Sequence, residues 1–171
     1  RRRQQQHRRR SGGRIALPAK EAILAEQALT AAVDPLTTAH VDTALRTLAQ
    51  YCRTNEISIP SLLAVFIGDD TIELGLLEEI SLPQPWMQSD DDTWMVDPRA
   101  FPRSVPDIDV SPYPALTAMG TSDDGRELML NLEEIGHLSI TGTPTAAEGV
   151  LRAMAVELAV SPLADSLHLN V

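Results

Sequence analysis

A chain of 171 residues can bury one substantial core or two small ones, and with 43% apolar but only 4% aromatic residues its packing must be largely aliphatic. The net charge of −10 hides a split: positions 1–14 carry seven of the fourteen basic residues and no acid, which leaves −17 on the remainder. So acidic a body repels a phosphate backbone, which argues against a general nucleic-acid binder. The single Cys52 excludes an internal disulfide. No apolar run reaches the roughly 18 residues that a membrane helix needs, and no secretory segment is present.

Residues 1–18 begin RRRQQQHRRRSGGR and are expected to form a disordered, Arg-rich linker. Arg1, Arg2, Arg3, Arg8, Arg9, Arg10 and Arg14 form a cationic stretch suited to an anionic membrane surface on the cytoplasmic side. Residues 19–55 predict a helical hairpin. Its first helix spans Ala19–Val33, with Ile23, Leu24, Ala28 and Ala31 on one side. Asp34-Pro35 then supplies an N-cap and an N1 proline for a second helix with Leu36, Val41, Leu45, Leu48, Ala49 and Cys52 on its apolar face. Cys52 is thus expected to be a small buried hydrophobe between the helices, and His40 a surface or capping residue.

Residues 56–114 predict a β-hairpin followed by an irregular segment. Leu62–Ile67 and Thr71–Leu76 flank Gly68-Asp69-Asp70, and Ile72, Leu74 and Leu76 alternate. The stretch Pro83–Pro114 holds seven of the twelve prolines and both tryptophans, with Trp94–Val96 as one short candidate strand. Asp90-Asp91-Asp92 lacks the spaced ligands and glycine of a calcium loop, so a solvated turn is expected.

Residues 115–171 predict a second hairpin, Ala115–Thr121 with Arg126–Leu132 around Ser122-Asp123-Asp124-Gly125, and then a βαβ unit. In that unit His137–Thr141 and the alternating Leu167, Leu169 and Val171 should pair in parallel. Between them lies a helix with Val150, Leu151, Met154, Leu158 and Ala159 as its stripe. The fold class is therefore α/β: an N-terminal helical hairpin, an irregular β-containing middle, and a C-terminal βαβ unit with parallel pairing. The chain opens inside a basic run and stops inside a strand pattern, so it is expected to be part of a longer protein.

The loop after His137–Thr141 occupies the place of a phosphate-binding loop, G-x-x-x-x-G-K-[ST]. Gly142 matches the first glycine, but Ala147, Glu148 and Gly149 stand at the second glycine, the lysine and the hydroxyl positions. The run His137–Arg152 resembles the corresponding run of FtsK/SpoIIIE-type translocase ATPases and their type VII secretion relatives, with the chemically decisive positions lost. A carboxylate about 4 Å from a phosphate charge would cost roughly 4 kcal/mol at an effective dielectric of 20. No nucleotide, cofactor or metal is expected to bind. The four histidines (His7, His40, His137, His168) are too scattered to be metal ligands.

From its Arg-rich leader onward the chain also resembles the cytoplasmic region of actinobacterial membrane-anchored proteins that carry LysM and bacterial-transcriptional-activator (BTAD) domains. The resemblance rests on the leader, on Ala44–Ala49 (ALRTLA), on Gly120–Gly136 with Leu138–Gly142, and on Leu151–Asp165 (LRAMAVELAVSPLAD). It implies a non-catalytic connector or interaction region at the cytoplasmic face of the membrane, in a regulatory protein whose protein partners are unknown. The alternatives are a degenerate FtsK-like nucleotide-binding domain and a nucleic-acid-binding module acting through the leader.

Overall fold

The computed structural model describes residues 36–101, 110–165 and 167–168, all within the unit Pro35–Val171. The Arg-rich leader and the helix expected at Ala19–Val33 lie outside the described residues. Helix α1 spans Thr38–Thr54. It starts later than Asp34-Pro35 would have it, because Leu36 and Thr37 are non-helical and Thr37 is the N-cap. The Thr37 backbone N–H donates to Nδ1 of His40 at 3.2 Å, so His40 is a capping residue.

Among the described residues six strands follow: β1 Leu62–Ile67, β2 Ile72–Leu76, β3 Met87–Asp90, β4 Thr93–Val96, β5 Leu116–Thr121 and β6 Glu127–Asn131. They form one sheet in the order β3-β4-β2-β1-β6-β5. Every pairing is antiparallel. Both expected hairpins are present, and the Pro-rich middle adds a third, β3–β4, that extends the sheet. After β4 a short 3-10 turn, Pro98–Ala100, is capped by Asp97, whose carboxylate accepts the Arg99 N–H at 2.9 Å.

Alternation along the strands decides which side chains meet the core. Val65 stands opposite both Leu74 and Met129, and Leu74 opposite Trp94. These four share one buried cluster with Val41, Ala44, Leu45, Leu48 and Cys52 of α1. Cys52 is therefore buried in a helix-on-sheet core, and burial pushes its thiol pKa up. Trp86 and Trp94 belong to the same cluster, with Trp86 against Phe101 at 5.9 Å between ring centroids.

An irregularity in β1 between Leu62 and Ala64 shifts its register against β2. The buried Asn131 serves this spot, donating from Nδ2 to the Leu62 carbonyl at 3.0 Å. Its Oδ1 accepts the Glu133 N–H at 3.3 Å and caps the four-residue helix α2, Leu132–Ile135. One side chain thus satisfies the bulge and starts the next element.

The C-terminal region departs from the expected βαβ unit. His137–Thr141 forms no strand, and Leu167 and His168 are irregular, while Leu169 and Val171 lie outside the described residues. Helix α3, Pro144–Val160, does form. It lies along β5, where Glu157 Oε1 accepts the Ala118 N–H at 2.7 Å and closes the sheet edge at that point. The expected stripe is only partly buried: Met154 and Leu158 are covered, while Val150, Leu151 and Ala159 are exposed. Beyond α3 the chain returns to the main core through Leu163, which is fully buried.

Helix α1 ends in a Schellman motif: Ile57 N–H donates to the Cys52 carbonyl at 3.0 Å and Glu56 N–H to the Arg53 carbonyl at 3.3 Å. The residue this motif places in the left-handed region is Glu56, at φ +56. A side chain costs roughly 1–2 kcal/mol in this conformation, while glycine gives back about 0.5–1 kcal/mol in backbone entropy. Glu56→Gly should therefore stabilise the protein by about 0.5–1 kcal/mol, read as a rise in the urea midpoint at unchanged slope. A fall in the midpoint would contradict this account of the helix end.

Candidate functional site

The loop at Gly142 is built as a helix start. Gly142 has φ +153, a backbone conformation that L side chains rarely adopt. Thr143 is the N-cap and Pro144 the first helical residue, the preferred order for beginning a helix. The Thr143 hydroxyl accepts the Ala146 N–H at 3.3 Å, and the Thr143 carbonyl accepts the Ala147 N–H at 3.0 Å. Backbone donors that would wrap a phosphate are thus used inside the helix. Ala147, Glu148 and Gly149 all sit within helical turns. Glu148 is further committed to Arg152, one turn on, at 2.6 Å in a solvent-exposed ion pair. The position that should carry a cation carries an anion, and Arg152 is bound to it.

A second cluster was only half visible in the sequence. Arg46 is buried, with its Nε 2.7 Å from Asp42 Oδ1 and its Nη2 2.6 Å from Asp165 Oδ2. Asp42 and Arg46 are four residues apart on α1, a spacing the sequence shows directly. Asp165 comes from beyond α3, and no local pattern announces it. Its other oxygen accepts the Ser111 N–H at 3.0 Å. Three separate segments are therefore tied to one guanidinium. Burial by itself lowers the Arg46 pKa, but bonds to Asp165 and Asp42 outweigh it and the net shift is upward. Burial likewise raises Asp165, and the Arg46 bond with the Ser111 N–H brings it below the usual carboxylate range. One guanidinium thus holds two carboxylates from separate parts of the chain, an arrangement that fastens α1 to the residues beyond α3.

The outer face of the sheet carries a smaller network. Arg126 bonds Glu73 at 3.0 Å and Asp124 at 2.7 Å, and its guanidinium lies 4.8 Å from the centroid of the Phe66 ring. The Ser122 hydroxyl and Arg126 hold the Asp124 carboxyl down to about 2, which stabilises the hairpin turn as a charged loop. Among the described residues no group of three or more His, Cys, Asp or Glu could hold a metal ion, and Asp90, Asp91 and Asp92 lie in and beside the exposed β3–β4 turn. Among the same residues no helix is long and apolar enough to cross a membrane. The seven arginines expected to face an anionic surface (Arg1, Arg2, Arg3, Arg8, Arg9, Arg10, Arg14) lie outside the described residues.

No family model matches the chain, and no curated protein or solved structure matches it at a significant level.

The Arg46 fastening has a testable pH dependence. Asp165 has a folded pKa below its unfolded value of about 3.9, so its contribution is complete above that value and is lost as pH falls through the folded one. Urea midpoints should be level near neutrality and drop in acid, and Asp165→Asn should flatten part of the acid limb. Arg46→Ala leaves Asp42 buried without its partner and should cost about 3–5 kcal/mol at pH 7. A cost below about 1 kcal/mol, the range of exposed pairs, would show that the cluster fastens nothing.

Proposed function

We propose that this chain is a non-catalytic connector and interaction region at the cytoplasmic face of a membrane-anchored bacterial regulatory protein. Helix α3 carries most of this reading. Its sequence is apolar on nearly every side, the composition of a helix meant to be covered all round. The fold covers only Met154 and Leu158, and leaves Val150, Leu151, Val156 and Val160 between 43% and 76% exposed. Val156 and Val160 face away from the buried pair, so one side of the helix is free for a protein partner. The preceding Leu138–Thr141 run, exposed apart from a half-buried Ile140, extends the same uncovered region. Surfaces of this kind mark protein contacts in soluble domains.

The Gly142 loop supports the non-catalytic half of the reading, since its donors and its Glu148 are engaged within α3. The basic leader supports the membrane half. Seven arginines without an intervening acid would contribute about 1 kcal/mol each near an anionic leaflet, against a body that carries the opposite charge. The likeness to membrane-anchored LysM and BTAD proteins supplies the regulatory context.

Flotation with vesicles of phosphatidylcholine containing phosphatidylserine tests the leader directly. The 171-residue chain should co-float at low ionic strength and be released at physiological salt, where the screening length falls to about 8 Å. Removing residues 1–14 should abolish flotation. Equal flotation of the shortened chain, or tighter binding to duplex DNA than to these vesicles at the same salt, would overturn the proposal.

A further inference from the structure

Five arginines occur among the described residues, and four of them are ion-paired: Arg46 with Asp42 and Asp165, Arg99 with Asp70, Arg126 with Glu73 and Asp124, and Arg152 with Glu148. Arg53 pairs with no described residue. Arg53 is exposed, so its guanidinium is open to an anion from solution. Arg53 lines an open cavity of about 270 Å³ whose other walls are Ala49, Ile57, Ile59, Val110 and Pro112, all apolar side chains.

The walls are held by features already described. Ala49 and Arg53 lie one turn apart on α1, so both look onto the same side. The Schellman turn, with Glu56 in the left-handed region, swings the chain back and presents Ile57 and then Ile59. Pro60 is fixed through its carbonyl, which accepts the Tyr113 hydroxyl at 2.7 Å, and this ties the Ile59 side to the Val110–Tyr113 side. Ile57, Ile59 and Val110 stay between 43% and 50% exposed although they surround a hollow. Residues of this type are normally covered, and the hollow leaves room for something apolar to cover them.

We propose that this cavity binds an aliphatic carboxylate, with the alkyl chain among Ile57, Ile59, Val110 and Pro112 and the carboxylate on Arg53. The chemistry follows from the lining. An apolar chain gains by removing these side chains from water, at about 25 cal/mol for each Å² covered. The guanidinium offers a planar fork that matches a carboxylate, and none of the described acids competes for it. The volume lies just below the usual range of ligand pockets, which favours a short or medium chain over a drug-sized molecule. The site lies apart from the Gly142 loop and from the exposed side of α3, so it stands or falls independently of the connector reading.

Sodium octanoate is the probe, titrated into the 171-residue protein below its micelle-forming range, with amide NMR shifts and calorimetry as readouts. Saturable shifts should centre on Ala49, Arg53, Ile57, Ile59 and Val110. Arg53→Gln should weaken binding about tenfold or more, the range of a lost charge-assisted bond, and Arg53→Lys should retain part of it. Octylamine, with the same chain and the opposite charge, should not saturate the site. Arg53 also stands in the last turn of α1, where a cation offsets the helix dipole. If that were its whole role, Arg53→Gln would lower the melting temperature and leave the octanoate titration unchanged. That result would overturn the proposal, as would non-saturable shifts or equal binding of octylamine.

Discussion

The pairing of β1 with β6 holds this fold together. Val65 opposite Met129 and Ile67 opposite Glu127 join two hairpins separated by the whole Pro-rich middle of the chain. Without that ladder β5–β6 would be a two-stranded ribbon, which is marginal in water, cut off from the four strands β3-β4-β2-β1. With it, β1 becomes a central strand flanked on both sides, and its inward residues meet α1 across a single core. Leu62, Val65 and Leu45 are all fully buried, and each such side chain contributes about 1.5–3 kcal/mol relative to exposure. Asn131 at the end of β6 satisfies the Leu62 carbonyl, so the ladder also resolves the one backbone irregularity in β1.

Charge is arranged around that core in a consistent way. The acids crowd the hairpin turns, as at Asp69, Asp70, Asp90, Asp91, Asp92, Asp123 and Asp124, where solvent screens them. Three arginines join segments: Arg99 bridges the β1–β2 turn to the 3-10 turn, Arg126 bridges the β5–β6 turn to β2, and Arg46 bridges α1 to the residues beyond α3. Glu157 blocks the β5 edge, and β3 at the other edge is short and runs into three aspartates. Both edges are thereby poor templates for another strand. Helix α3 differs from all of this, because its exposed aliphatic side chains have no structural role in the described fold.

Much of the sheet was legible in the sequence because alternation and turn chemistry agree there. Gly68 and Gly125 mark turns between runs whose apolar residues alternate, and both hairpins formed. Strand β3 was not legible, since its four residues are all exposed and carry no alternation. The sheet order was hidden as well, because it depends on contacts between residues about 60 positions apart, such as Ile67 and Glu127. The C-terminal unit misled for a physical reason. His137–Thr141 has a strand-like pattern, but pattern alone does not supply a neighbour, and the β5 edge is occupied at Ala118 by Glu157. Helix α3 misled too: when nearly every side is apolar, any chosen stripe looks like the buried one. At the Gly142 loop the loss of the lysine was plain from Glu148. The helix beginning at Pro144 was equally readable from Thr143-Pro144, and it explains why no loop remains to hold a phosphate.

The proposed connector role requires that the Gly142 turn be a helix start that holds no phosphate. Calorimetric titration with magnesium-ATP tests this directly. The loop's donors are engaged and Glu148 opposes a phosphate at roughly 4 kcal/mol per charge pair, so no saturable heat should appear up to millimolar nucleotide. Glu148→Lys combined with Gly149→Ser should leave the fold intact and create no hydrolysis, because Ala147 still stands where the second glycine is required. Micromolar binding of magnesium-ATP by the unaltered chain would contradict the account and make a nucleotide-driven domain the better reading.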